Sequence, residues 1–235
     1  MTVQDILLRL RALGSVHFYK ALSDSDFEEL NSKFNLPKDH KELLKITNGL
    51  ESFGGYFRLF GLGKERRINL LSWNLQGTWK FSWGDKLNDY ICFGETAWGD
   101  QYAYHRDELS AEVEPKVYFI EGIAMAPEII SDSFNEFLEK EFLKNSIQPY
   151  DEMIVEVRNR LGNLSLEDHI VYTPSPLLGG AEDPANVQML DSVTAMIING
   201  DLYMQLAAES QDRPVKEIKP YVDKNGRNRI QVVWD

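Results

Sequence analysis

The sequence predicts an α+β fold: N-terminal helices, then a mostly antiparallel central sheet, then a closing helix, with a small α+β extension behind it. Three observations carry this reading. Helical apolar spacing is concentrated in the first fifty residues, the strand-like runs that follow show no βαβ alternation, and a capping box then opens a Phe-rich helical run. Residues 1–145 form one domain in this reading and residues 146–235 the extension.

From Val3 to Leu13, residues Val3, Ile6, Leu7, Leu10 and Leu13 share one helical face. Asp5, Arg9 and Arg11 interrupt the pattern, so the segment lacks the unbroken apolar core of a signal peptide. A second helix is expected over Ser25–Phe34, with Ser25 and Glu28 in capping-box spacing. The third, Pro37–Thr47, starts on Pro37, which needs no N–H in a first turn; it carries Leu43, Leu44 and Ile46 and stops at Asn48-Gly49, a left-handed terminator. A glycine turn at Gly54-Gly55 leads into strands expected at Tyr56–Leu62 and Arg67–Leu71. Further strands are expected at Tyr90–Glu95, Gln101–His105 and Val117–Glu121. Between the first two of these lies a corner, CFGETAWGDQYAY: Gly94 and Gly99 supply backbone angles that a Cβ would penalise, and Asp100 can fold its carboxylate onto backbone N–H groups. Ser133 and Glu136 then cap a helix whose Phe134, Phe137, Leu138 and Phe142 recur at helical spacing.

In the extension, Asp151–Leu161 reads as a helix stopped by Gly162, and Pro174–Pro184 as a loop. Leu190, Val193, Ile197, Gly200, Met204 and Ala207 keep helical spacing straight across Asn199-Gly200, which is also a hairpin signal; the persistence of the spacing favours helix. A terminal hairpin joins Val215–Val222 to Arg229–Trp234 through Lys224-Asn225-Gly226.

The order helix, Asn48-Gly49 stop, Gly54-Gly55 turn, aromatic strand, Trp-rich segment, strand, Gly99-Asp100 corner, strand resembles the SUKH superfamily, which includes Smi/Knr-type regulators and many bacterial immunity proteins. The resemblance covers about residues 10–144. It implies that Pro37, Asn48, Gly49, Gly54, Gly94, Gly99 and Asp100 build the fold. It also implies a non-catalytic protein-binding module, a bacterial immunity protein that neutralises a cognate toxin by direct binding. The alternative is a Smi/Knr-type regulatory scaffold that holds endogenous protein partners.

Charge restricts the partners. The net charge of −12 is shared evenly, −6 in residues 1–150 and −6 in residues 151–235, so neither half has the basic surface of a nucleic-acid binder. Residues 85–141 hold 14 acids against 4 bases, a density that attracts basic partners and repels nucleic acid and anionic lipid. Asp107, Glu108, Glu112 and Glu114, in the connection between two predicted strands, are the candidate contacts, although a charge run also serves as a solvated face. No apolar run reaches the ~20 residues that cross a bilayer, and the single Cys92 excludes an internal disulfide. The expected compartment is the cytoplasm.

Catalytic signals are weak. His17, His40, His105 and His169 have no metal-ligand spacing, so neither metal nor cofactor is expected. Glu167-Asp168-His169 reads as a helix start, and Gly61-Leu62-Gly63-Lys64 as a turn at a strand end without the spacing of a phosphate loop. Cys92 has no histidine beside it in sequence, and the clustered Trp73, Trp79, Trp83 and Trp98 serve a core before they serve a sugar-binding floor. Paired carboxylates such as Asp107-Glu108 lack an apolar pocket to shift either pKa. The chain is expected not to be an enzyme.

Overall fold

Seven strands, taken in chain order, make one antiparallel sheet: β1 (His17–Phe18), β2 (Gly49–Ser52), β3 (Phe57–Phe60), β4 (Tyr90–Thr96), β5 (Gln101–His105), β6 (Val117–Glu121) and β7 (Ala126–Ser131). The structure, a computed structural model, describes residues 1–31, 33–63, 66–111, 113–209 and 213–235.

One face of the sheet is covered by helices. They are α1 (Val3–Ala12), α2 (Asp24–Asn31), α3 (Lys38–Ile46) and a C-terminal run of α6 (Phe134–Phe137), a π turn (Leu138–Phe142) and α7 (Leu143–Ile147). Phe93 and Tyr104, stacked at 4.4 Å, meet Phe134 and Phe137 there, with His40 between them. Thr2 and Asp5 cap α1 reciprocally, and Ser133 caps α6 by accepting from the Glu136 N–H.

The opposite face is covered by later chain. Trp73, at the end of α4 (Leu70–Trp73), and Trp79 and Trp83, around a 3₁₀ turn (Lys80–Trp83), are all fully buried. Over them lie α8 (Glu152–Leu161), the β8–β9 pair (Asp168–Tyr172 with Val187–Asp191) and α9 (Ser192–Ala208). Ile154, Val157, Ile170, Val187, Met196 and Ile197 share one buried cluster with the residues of the sheet. A terminal hairpin, β10 (Val215–Val222) with β11 (Asn228–Trp234), docks on α9: Asp201 accepts from the Arg229 guanidinium and the Ile230 N–H. Burial is two-sided in the middle of the sheet, because every residue from Ile91 to Thr96 is buried. α9 continues unbroken through Asn199-Gly200, and the short α5 (Arg106–Ser110) follows β5.

Several expectations are corrected. Residues 67–71 do not form a strand, because Asn69 Oδ1 accepts from the Leu71 and Ser72 N–H groups and starts α4 instead. The cap of α2 is Ser23, accepting from Asp26, not the Ser25–Glu28 pair. Glu167-Asp168-His169 opens a strand, not a helix, and Leu190 belongs to β9. Gly49 does hold a left-handed φ of +86°, but as the first residue of β2, while Asn48 Oδ1 accepts from the Leu62 and Gly63 N–H groups. Gly94 is needed for space and not for its dihedral, since a Cβ there would sit 2.5 Å from the Arg58 carbonyl oxygen. β1, β2, β7, β8 and β9 carried no strand expectation; β7 holds Pro127 on an exposed edge, where a missing donor costs nothing.

Candidate functional site: an acidic cleft at the Gly99-Asp100 corner

The corner is the point on which three chain segments converge. Gly99 has φ +87°, and a Cβ on it would lie 2.9 Å from Met196 Sδ, so the position needs glycine for its dihedral and for the approach of α9. The Ala97 carbonyl accepts from the Ile170 N–H at 2.9 Å, which fastens β8 to the corner. Asp100 Oδ1 accepts from the Gly122 N–H (2.8 Å) in the β6–β7 turn, and its Oδ2 accepts from the Thr96 hydroxyl (2.6 Å). Asp151, the N-cap of α8, accepts from its own Met153 N–H and from the Trp98 indole N–H at 2.9 Å. Tyr172, at the end of β8, stacks on Trp98 with ring centroids 4.8 Å apart and planes 14° from parallel.

Between these segments opens a cleft of about 300 Å³. Trp98 and Tyr172 form part of its wall, Asn199 adds an amide from α9, and its charged lining is Asp100, Glu121, Asp151 and Glu182. No Lys, Arg or His lines it among the described residues. A second groove that Trp98 also lines shares Asp100 and Asp151 and adds Glu128 and Glu141, again with no base among the described residues. Burial pushes the Asp100 carboxyl up to about 6; the Thr96 and Gly122 hydrogen bonds oppose this, and the charges of Glu121 and Asp151 reinforce it. Tyr172 is pushed up to about 12 by burial and by the fields of Glu182 and Asp151.

Beneath the corner lies a buried polar row. Arg58, Glu95 and Gln101 are register partners across β3, β4 and β5. Arg58 is fully buried: it reaches Glu95 Oε1 at 3.0 Å and donates to the carbonyls of Gly55 (2.6 Å), Leu166 (3.2 Å) and Asp168 (2.5 Å). Gln101 donates to Glu95 and accepts from the Trp73 indole at 2.7 Å. His169 Nε2 sits 3.1 Å from Glu95 Oε2 without a well-aligned hydrogen bond. Burial alone raises the Glu95 pKa, but His169, Arg58 and Gln101 outweigh it and hold the carboxyl below its ordinary value. Both side chains of the Glu95–His169 contact are sealed from solvent, so the row acts as a fastening between sheet and extension.

The loop acids expected as contacts lie apart from the cleft, and none of those described lines it. Asp107, on α5, projects fully into solvent and Glu114 is exposed, but Glu108 accepts from the Lys116 N–H and the Tyr118 hydroxyl and so braces its own loop. Glu112 falls outside the described residues. Of the residues assigned to the fold, Gly54 and Gly55 form a turn whose Gly54 carbonyl accepts from the Leu164 N–H, and Asp100 is both a fold residue and part of the cleft. Cys92 is fully buried and burial raises its thiol pKa. Arg58, Glu95 and Asp151 had not been singled out. The signal for the first two was a charged residue set among apolar neighbours in a strand.

Residues 21–140 match the model of the SMI1 / KNR4 family (SUKH-1). The crystal structure of Atu4351 from Agrobacterium tumefaciens shares the fold with a TM-score of 0.54 at 15% identity, over 81% of this chain and 87% of that one. That coverage takes in part of the extension. No curated protein matches the sequence. Among the described residues, no helix is long and apolar enough to cross a membrane.

Proposed function

Because the chain belongs to the SMI1 / KNR4 family (SUKH-1), we propose that it is a non-catalytic protein-binding module of the immunity type, which neutralises a basic toxin domain by direct binding. One observation supports this most: the corner cleft and its neighbouring groove are lined by Asp100, Glu121, Glu128, Glu141, Asp151 and Glu182 and, among the described residues, by no base. Uncompensated negative charge in a concave site draws in a cationic partner and rejects polyanions. The exposed Asp107 and Glu114 extend the same sign of field to a second surface, where they would hasten encounter more than they tighten the complex. A nuclease-type toxin is a fitting target, since binding phosphate makes such domains basic.

The non-catalytic part of the proposal is supported by how the cleft carboxylates are used. Asp100, Glu121 and Asp151 each hold backbone N–H groups of turns and helix starts, work that positions chain segments. The test is retention of basic proteins from the source organism on the immobilised chain, compared with a Glu128→Lys/Glu182→Lys variant. A basic protein held stoichiometrically by the wild type and lost from the variant is the expected result. Equal retention by both would remove the cleft from the contact.

A further inference from the structure

We infer that the cleft walled by Trp98 and Tyr172 is a socket for one organic cation, the guanidinium or ammonium head of a basic side chain or of a free amine. The inference rests on the binding-module reading only for the source of that cation; the chemistry of the socket is argued from its walls.

Three independent features agree. The first is charge: Asp100, Glu121, Asp151 and Glu182 line the cleft, and among the described residues none of the four takes part in a salt bridge. The fully buried Glu95 and Asp201 are set against Arg58 and Arg229, whereas these four partly or fully exposed carboxylates converge on one cleft that no base lines among the described residues. The second is aromatic surface: the parallel Trp98–Tyr172 stack contributes π surface to the same wall, and Trp presents the ring most attractive to a cation. A planar guanidinium suits such a surface better than a compact ammonium does. The third is rigidity. The Trp98 indole is held by Asp151, Asp100 is held by Gly122 and Thr96, and Ile170 is fastened to Ala97, so the walls are set before anything enters and little ordering is lost on binding.

The Trp98 indole N–H, already donating to a cleft acid, is a built-in reporter distinct from the buried indoles of Trp73, Trp79 and Trp83. The experiment is a titration of the full chain, followed by the indole N–H resonances, with N-acetyl-arginine amide, putrescine and N-acetyl-citrulline amide at matched ionic strength. Citrulline keeps the shape of arginine and removes its charge. A saturable displacement of the Trp98 signal by the arginine amide or by putrescine, absent with citrulline, is expected. Whichever cation saturates first assigns the source, a chain-borne side chain or a free amine. Glu182 is exposed, so Glu182→Gln is expected to leave the fold intact while removing one charge from the lining. Since an exposed pair is worth up to ~1 kcal/mol, this variant is expected to weaken binding by up to about fivefold, and Glu182→Lys by more. A Trp98 signal unmoved by both cations, or moved equally by citrulline, overturns the inference. Retention of a basic protein by the immobilised chain would survive that outcome, so the two readings fail separately.

Discussion

Replacing Arg58 by Met keeps an unbranched apolar stem at a fully buried position while removing the guanidinium, its link to Glu95 and its donations to the carbonyls of Gly55, Leu166 and Asp168. Glu95 is then left buried beside His169 without its guanidinium partner, and three carbonyls lose a donor. Breaking one side of a buried ion pair costs about 3–5 kcal/mol. For a chain of this size each kcal/mol moves the melting temperature by about 2–4 °C, so a fall of roughly 6–20 °C is expected. Thermal melting and urea unfolding at pH 7.5 measure it. The double variant Arg58→Met/Glu95→Gln removes both charges and is expected to recover a good part of the loss, because neutral replacement of a buried pair is often close to neutral in stability. An Arg58→Met variant within about 1 kcal/mol of wild type, or a double variant no more stable than the single one, would show that the row is not what fastens the extension to the sheet.

Gly99→Val forces a β-branched residue into φ +87° against Met196, and is expected to lower stability by about 1–3 kcal/mol in a melting experiment; an unchanged melt would move the corner from architecture to function. The Asp100 carboxyl is raised from 3.8 to about 6 in the fold, so the folded chain binds the extra proton and stability from this group falls as pH rises between those values. Asp100→Asn can still accept from Gly122, and melting from pH 4 to 8 is expected to show this variant gaining on the wild type with rising pH; a constant difference refutes the shift. Asp107→Lys/Glu114→Lys is expected to slow association with a basic partner by about tenfold at low salt, and added salt to bring the wild type toward the variant in stopped-flow kinetics. On a panel of esters, phosphates and glycosides no turnover is expected, and turnover abolished by changing one cleft residue would end the binding-module reading.

Local chemistry made some elements legible and tertiary pairing hid others. α3 announced itself by Pro37 and its apolar face, α9 by spacing that outlasts Asn199-Gly200, and the β4–β5 corner by its glycines and aromatics. β8 and β9 did not, because their register pairs Tyr172 with Val187 across a loop of its own and no turn signal joins the two strands directly. α4 was hidden by an apolar run, Ile68–Leu71, that reads as strand until Asn69 is recognised as its cap. Asp100, Trp98 and the Asp151 helix start were all visible as local features. Their meeting in one cleft depends on β8 hydrogen-bonding to Ala97, which no periodicity encodes. Arg58 and Glu95 were obscured for the same reason: an alternating strand normally sends its charges to water, and here the extension covers that face.

The strictly sequential order of the seven strands has a consequence for synthesis. Each strand of the sheet can pair with a neighbour already made, so the whole sheet is available once Ser131 has left the ribosome. Arg58 has by then met Glu95, but its acceptors on Leu166 and Asp168 are 108 and 110 residues further along than itself. At roughly 5–20 residues per second, the 35 or so residues between β7 and Leu166 take about 2–7 s to appear. A sheet formed in that interval would present the Arg58–Glu95 pair to water until residues 166–170 arrive to cover it. Sealing of the second face therefore waits on synthesis of the extension, and the Arg58–Glu95 pair sets charge on what would otherwise be an apolar sheet surface in the interval.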